Sequence, residues 1–449
     1  MQARTANERR KPPLLLIAGL LFLLAMVAAF ALAWHPAIAP VATPAHDSFD
    51  SKRLARGRQL AAIGNCAGCH SAPDGKPYAG SVAIATPFGI IYSTNITPDA
   101  DTGIGAWSEQ AFRRALREGV SRDGHLLYPA FPYDHYTRLS EEDIGMLYAF
   151  LMTREPVREA AHGNRLRFPL GFRPLVAGWN LLYLDKGPYR PVAGQSAEWN
   201  RGAYLTEGLG HCSACHTPRN ALGAERKRAY LGGGQAEGWY APALNADSPS
   251  PQPWTVDELS AYLRTGISAR HAIAAGPMQD VVHTLSHAEE NDVRAIAAYI
   301  KSVQGEPAGQ RQRAAASLQR ASLGSLAAVR PSGQAPVAGE EQRLLYLGES
   351  VYAGACAGCH DAGRGIGSSA ALRLPLAVAV YDPDPRSLIR IIRDGIMPAP
   401  GENGRWMPGF AGALTDEQIT ALLAYLRRHA ADLAPWPDVA AALKEASSP

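Results

Sequence analysis

Apolar positions along the chain fall into two kinds of pattern. The first is an unbroken run from Leu14 to Trp34, interrupted only by small residues such as Gly19 and preceded by Arg4, Arg9, Arg10 and Lys11. Twenty-one such residues are enough to span a bilayer, and the charge ahead of them predicts an N-terminus kept in the cytoplasm with the rest exported. The run therefore predicts a cytoplasmic segment 1–13 and a transmembrane anchor over 14–34. Ala37-Ile38-Ala39 offers the alternative of a cleaved signal, although a signal core is shorter than this run.

The second pattern is amphipathic, has a helical period, and recurs three times. Trp107-Ser108-Glu109 opens a stretch through Phe112, Ala115 and Leu116 that stops near Gly119. Trp254-Thr255-Val256 opens another through Leu259, Tyr262 and Leu263 to Gly266, and Pro385-Arg386-Ser387 a third through Leu388, Ile391 and Ile392 to Gly395. Each predicts a helix with one apolar stripe and a glycine stop, with Arg117, Arg264 or Arg393 two residues before the glycine. A second helix follows each: Ser140 to Asp143 precede Ile144, Leu147, Tyr148 and Leu151; Glu289 to Asp292 precede Val293, Ile296, Ala297 and Ile300; Thr415 to Gln418 precede Ile419, Leu422, Leu423 and Leu426. Thr415 and Gln418 have capping-box spacing. Earlier helices are predicted at Lys52–Leu60, Trp199–Leu205 and Glu341–Tyr352.

Composition narrows the possibilities. The 449 residues suffice for about three domains, and 47% hydrophobic with 19% charged content describes an ordered protein. A formal charge of +3 without a dense basic stripe argues against nucleic acid as a partner. No Ser-His-Asp constellation or paired acids suggest hydrolysis, and Gly232-Gly233-Gly234 lacks the lysine of a phosphate loop. Gly187 to Gly194 reads as a boundary; 305–340, with Arg311, Arg313 and Arg320, reads as a solvated linker.

All six cysteines lie in three Cys-x-x-Cys-His motifs: Cys66/Cys69/His70, Cys212/Cys215/His216 and Cys356/Cys359/His360. An isolated copy is compatible with a thioredoxin-like dithiol or half a zinc site. Three copies, their first cysteines 146 and 144 residues apart, predict three covalently attached c-type hemes: the thiols form thioethers and the adjoining histidine ligates iron. The predicted fold is mainly α, three cytochrome c-like domains in tandem after one N-terminal transmembrane helix. Its parts are a linker at 35–47, domains at 48–190, 191–304 and 341–440 with the 305–340 linker before the last, and a tail at 441–449.

Twelve residues past Gly119, Gly266 and Gly395 lie Phe131, Met278 and Met407. Met278 and Met407 are thus predicted distal iron ligands, their soft thioether raising the reduction potential; Met397 is out of register. Phe131 cannot bind iron. In its place His135, in Pro132-Tyr133-Asp134-His135-Tyr136, is the favoured distal ligand of the first site, with His125, Met146, Met152 or an open position as alternatives. Two nitrogen ligands would make this the low-potential site.

Three stretches of the first module are more specific: Asn65-Cys66-Ala67-Gly68-Cys69-His70-Ser71, Gly89-Ile90-Ile91-Tyr92-Ser93-Thr94-Asn95-Ile96-Thr97-Pro98-Asp99 and Gly124-His125-Leu126-Leu127-Tyr128-Pro129-Ala130-Phe131-Pro132-Tyr133. With them the chain, from about Asp50 to Leu433, resembles the membrane-bound triheme cytochrome c subunit of periplasmic alcohol, aldehyde, gluconate, sorbitol or fructose dehydrogenases and molybdenum hydroxylases. The alcohol-dehydrogenase type typically has methionine where Phe131 stands. The run Phe131 to His135 instead resembles cytochromes that partner xanthine-oxidase-like molybdenum enzymes acting on aldehydes or N-heterocycles. The resemblance implies a subunit that does not itself oxidise substrate. It would take electrons from a catalytic dehydrogenase subunit, with an iron–sulfur subunit, and deliver them to quinone, a terminal oxidase or a soluble cytochrome. It also implies a single-pass bacterial inner-membrane protein with heme domains in the periplasm. The alternatives are the cytochrome subunit of a PQQ- or flavin-dependent alcohol or sugar dehydrogenase, a self-contained multiheme peroxidase using an open first site, and a structural or assembly subunit.

Overall fold

A computed structural model describes residues 14–268, 270–305, 339–361, 373–398 and 407–446. Helix α1 (Leu14–Ala33) is followed by α2 (Ser51–Ile63), which starts because the Asp50 carboxylate accepts from the N–H groups of Lys52 and Arg53 and stops at Gly64. The first cysteine motif is itself a single turn, α3 (Cys66–His70). A β1 (Ala83–Thr86) and β2 (Gly89–Tyr92) hairpin precedes α4 (Glu109–Glu118), whose cap is Ser108 and whose stop, Gly119, has φ 63°. Then come α5 (Tyr133–Tyr136), α6 (Glu141–Met152) capped by Ser140, β3 (Arg165–Leu166) beside β2, and α7 (Leu175–Tyr183).

The next segment repeats the order with α8 (Ala197–Tyr204) running into a π turn over Leu205–Leu209, α9 (Ser213–His216), the β4 (Gly234–Ala236) and β5 (Trp239–Ala241) hairpin, and α10 (Val256–Thr265). A two-residue ladder, β6 (Ile267–Ser268) with β7 (Ala272–Ile273), leads to α11 (Pro277–Leu285) and α12 (Glu290–Gln304). The last segment has α13 (Glu340–Ala355), α14 (Ala357–His360), α15 (Val378–Tyr381), α16 (Arg386–Asp394), α17 (Asp416–Ala431) and α18 (Val439–Ala446). Both halves of the Thr415/Gln418 capping box form.

In each segment the first long helix crosses the last one at a glycine. A Cβ on Gly57 would overlap the Met146 carbonyl and meet the Phe150 Cβ at 2.7 Å. On Gly202 it would overlap the Ala295 carbonyl and meet the Tyr299 Cβ at 2.9 Å, and on Gly348 the Ala421 carbonyl and the Tyr425 Cβ at 2.7 Å. The three arginines before the glycine stops also repeat a role. Arg117 reaches Glu141 (3.1 Å), Arg264 reaches Glu290 (2.9 Å) and Arg393 reaches Asp416 (2.6 Å), in each case the first residue of the following long helix. These half-exposed pairs contribute at most about 1 kcal/mol each, but they fix where the intervening loop begins and ends.

The threefold local repeat does not build three discrete domains, and that expectation is corrected. Leu60, Ile144 and Leu147 of the first segment share one hydrophobic core with Leu205, Leu209, Val293 and Ile296 of the second; the last segment has its own core around Tyr352, Ile389, Leu422 and Tyr425. The two early segments are also joined at Asp292, which accepts from Arg56 Nη2 at 2.6 Å across 236 residues and from Arg201 Nε at 2.8 Å. Paired with two guanidiniums, the Asp292 carboxyl is held below the usual carboxylate range even though burial opposes its charge.

The transmembrane anchor over 14–34 is corrected as well. Among the described residues no helix is long and apolar enough to cross a membrane. The C-terminal end of α1 is docked on the body, where Ala33 packs against Val120, Leu126, Val176 and Ala177, while Leu20, Leu21 and Phe30 are exposed. Single-pass placement in the inner membrane with periplasmic heme domains falls with the anchor. The segment 1–13 and most of the 305–340 linker lie outside the described residues.

The second and last segments meet at His271, whose carbonyl accepts from the Val378 N–H at 3.0 Å. Its ring is fully buried, stacked on Trp254 at 3.8 Å, with Ser250 Oγ at 3.1 Å from Nδ1 and Glu258 at 3.4 Å from Nε2. Burial pushes this imidazole down to about 4, against the upward pull of Glu258, with Arg270 adding to the depression. A histidine whose pKa falls on folding binds its proton more readily in the unfolded chain, so its stabilising contribution is intact above about 6.5 and shrinks as pH drops toward about 4. The loss amounts to roughly 3 kcal/mol at about 1.36 kcal/mol per pKa unit. Denaturant titrations between pH 7 and pH 4 should show this slope in the native chain and a flatter one in His271→Gln.

Candidate functional site

The histidines of the first two motifs are held alike. His70 Nδ1 donates to the Thr94 carbonyl at 2.6 Å, and His216 Nδ1 to the Pro242 carbonyl at 2.7 Å. With Nδ1 fixed as donor, Nε2 carries the lone pair, the orientation an iron ligand needs. Burial lowers the pKa of both rings, which keeps them neutral. The supporting loops repeat too: the carbonyls of His70 and His216 accept from Gly80 N–H and Gly233 N–H, each at 2.8 Å. Ser71 and Thr217 hydroxyls accept from Tyr78 N–H at 3.0 Å and Leu231 N–H at 2.9 Å. His360 ends α14; residues 362–372, which follow Asp361, lie outside the described residues.

None of the six cysteines is in a disulfide. Burial pushes the Cys66 and Cys212 thiols up to about 12 and those of Cys215 and Cys356 to about 11. These are neutral thiols in apolar surroundings, the state in which a thioether is at home and a bare cation is not.

In the last motif Cys359 is exposed while Cys356 packs against the last core. Helix α14 turns Ala357, 3% exposed, into that core, and a residue two positions on lies on the opposite side of the turn, so Cys359 faces outward. Cys69 is likewise exposed, whereas Cys215 of the second motif is not.

Among the described residues no group of three or more His, Cys, Asp or Glu gathers to hold a metal ion. The donor set thus fits a porphyrin held by two sulfurs and one imidazole, but it does not by itself number the sites, and the membrane-bound triheme expectation is narrowed to a c-type heme protein.

The expected distal residues occupy different local settings. Phe131 lies between aromatic rings, 6.3 Å from Tyr133 and 5.4 Å from Tyr136. Met278 stands in the first turn of α11 and packs on the main core. Met407 pairs instead with Ile396, each N–H donating to the other's carbonyl at 2.9 and 3.0 Å. In the first two segments the matching ladder positions are Leu126 and Ile273, ahead of Phe131 and Met278. The equal sequence spacing therefore covers a longer loop before Met407.

His135, expected as the distal ligand of the first site, is hydrogen-bonded across to the second segment. It is 8% exposed, and both ring nitrogens are engaged: Nδ1 with the Glu207 carbonyl at 2.9 Å, and Nε2 with Glu225 Oε1 at 2.8 Å. Burial opposes its charge, but the Glu225 hydrogen bond and the nearby Asp134 carry its pKa above the usual value, while Glu225 is held below its own. His125 sits on the surface against Asp123 at 2.6 Å. Met152 is buried in the common core and Met146 packs against it. Sequence reasoning passed over His211, which lies directly before Cys212. It is half-buried, and desolvation together with the charge on His135 lowers its pKa to about 4.

The cytochrome c family matches residues 54–155, and the cbb3-type cytochrome c oxidase subunit III family matches residues 345–426. The chain is 47% identical over 418 residues to a nicotinate dehydrogenase subunit of Pseudomonas putida, covering 92% of this chain and 33% of that protein, so it spans about a third of that relative's length. It is 37% identical over 408 residues to the gluconate 2-dehydrogenase cytochrome c subunit of Pantoea cypripedii, covering 85% and 87% of the two chains. With the fructose dehydrogenase cytochrome subunit of Gluconobacter japonicus it shares 36% over 393 residues, covering 84% and 79%. These likenesses, with the repeated setting of His70 and His216, place the chain in the family of cytochrome c subunits of dehydrogenase complexes, as an electron-transfer subunit and not the one that oxidises substrate.

Proposed function

We propose that the chain holds three covalently bound hemes c and passes electrons from the catalytic subunit of a dehydrogenase, through an iron–sulfur donor, to quinone or to a cytochrome or oxidase acceptor. The observation that carries this is the identical support of His70 and His216 by a backbone carbonyl, beside thiols that burial keeps neutral. When bound, the heme supplies reversible one-electron chemistry. The protein's share is to fix it through Cys66/Cys69, Cys212/Cys215 and Cys356/Cys359, to present His70, His216 and His360 as proximal ligands, and to present Met278 and Met407 on the opposite faces. The first motif adjoins the second because Leu209 packs against Gly64, whose neighbour Cys66 faces the same spot.

An N-heterocycle or aldehyde, oxidised at a molybdenum centre, is the partner's proposed substrate class. It rests on the 47% identity with the nicotinate enzyme against 37% and 36% for the gluconate and fructose types. Intact mass of the mature chain is expected to show three covalently held porphyrins. The Cys212→Ser/Cys215→Ser variant should show two and should no longer pass electrons to the acceptor in the assembled complex. Fewer than three on the native chain would overturn the count.

A further inference from the structure

The loop that lacks a methionine in the first segment is built into the joint with the second. His135 reaches the carbonyl of Glu207, in the π turn that leads to the second cysteine motif, and the carboxylate of Glu225, in the loop that leaves it. Glu207 is itself fixed, its carboxylate accepting from Tyr299 Oη at 2.6 Å. Beside this clamp the rings form a continuous file: Phe131 on Tyr136 at 5.4 Å, Tyr136 on His211 at 5.7 Å, and His135 on His211 at 6.4 Å. Tyr136 is buried close to Cys66 and Cys69, while His211 adjoins Cys212 in sequence, two residues past Leu209, which packs against Gly64 beside Cys66. The file runs from Phe131, in the loop that lacks a methionine, to His211, next to the second cysteine motif, and the buried His135 lies against its end.

We propose that His135 is a positioning residue that locks the first segment's distal loop onto the second cysteine motif, and that the Phe131, Tyr136 and His211 rings it holds form the electronic contact between the first two heme sites. The inference rests on hemes being bound at both motifs, as read above. Electron exchange weakens as the groups between two sites move apart, so loss of the clamp is expected to slow exchange between them.

The experiment uses the full chain with porphyrin content checked by intact mass, and measures exchange between the first two sites after photoreduction, with EPR of the oxidised protein. His135→Leu should slow exchange while leaving the first site's EPR signal in place, and His135→Gln, whose amide keeps one of the two hydrogen bonds, should recover part of the rate. Tyr136→Leu should slow exchange with the clamp intact. Native rates in both His135→Leu and Tyr136→Leu, or a first-site signal turned high-spin by His135→Leu, would overturn the inference with the heme reading standing. Absence of porphyrin at either motif in the native chain would overturn both.

Discussion

Gly202→Ala is expected to destabilise the chain by about 3 kcal/mol, the upper end of what an extra methyl costs in a packed core. The added carbon would overlap the Ala295 carbonyl on α12 and sit 2.9 Å from the Tyr299 Cβ. A backbone carbonyl cannot rotate away as a side chain can, so α8 and α12 must separate. Tyr299 bonds Glu207, and Arg201, the residue before, bonds Asp292 at 2.8 Å, so separation also loosens the joint to the first segment. Gly354→Ala is the control of opposite sign. Gly354 lies inside α13 with nothing within 4 Å of the added carbon, and alanine there should stabilise by about 0.5–1 kcal/mol through helix propensity. Denaturant midpoints for the two variants check both signs; a Gly202→Ala chain as stable as the native one would mean that the helices do not cross as closely as described.

That crossing marks what the sequence does and does not display. The stripe Phe112, Ala115, Leu116 and its glycine stop are local properties, and α4 begins and ends where they indicate. The same holds for Thr255 and Thr415, which cap α10 and α17. A glycine inside a helix reads in sequence as a weak point, since its reason is a carbonyl on another helix some 90 residues away at Gly57 and Gly202. Likewise an apolar stripe does not say which surface will cover it. The shared core of the first two segments follows from pairs such as Arg56 with Asp292, whose partners carry no local signature. For the same reason His135 could be singled out as a histidine in the right loop, whereas its partner Glu225 lies 90 residues on. What remained legible was covalent: each proximal histidine sits next to the cysteine that fixes its place. Even there the motif does not tell which cysteine faces the core, and Cys356 and Cys359 part ways on that point.

Met278→Leu is expected to leave the fold in place and disable the second site. The two side chains are close in volume, and such exchanges usually cost below about 1.5 kcal/mol. The thioether is lost all the same, and with it the proposed ligand, which would hold iron low-spin and at raised potential. The position is built for a fixed side chain. Gly276 turns the loop at φ 54°, where a Cβ would run into the Trp239 ring; Pro277 starts α11; and the Gln279 side chain donates to the Met397 carbonyl at 2.8 Å. Met397 itself is 58% exposed, so Met397→Leu should leave the spectrum unchanged while preserving the carbonyl that Gln279 needs. In Met278→Leu, EPR should show one site turned high-spin, redox titration should show one midpoint displaced downward, and electron delivery to the acceptor should fall. A low-spin spectrum retained in this variant would move the distal ligand elsewhere. Met407→Leu would then be the remaining test of whether twelve-residue spacing after a glycine stop identifies iron ligands at all, because Met407 meets that spacing from a different place in its loop.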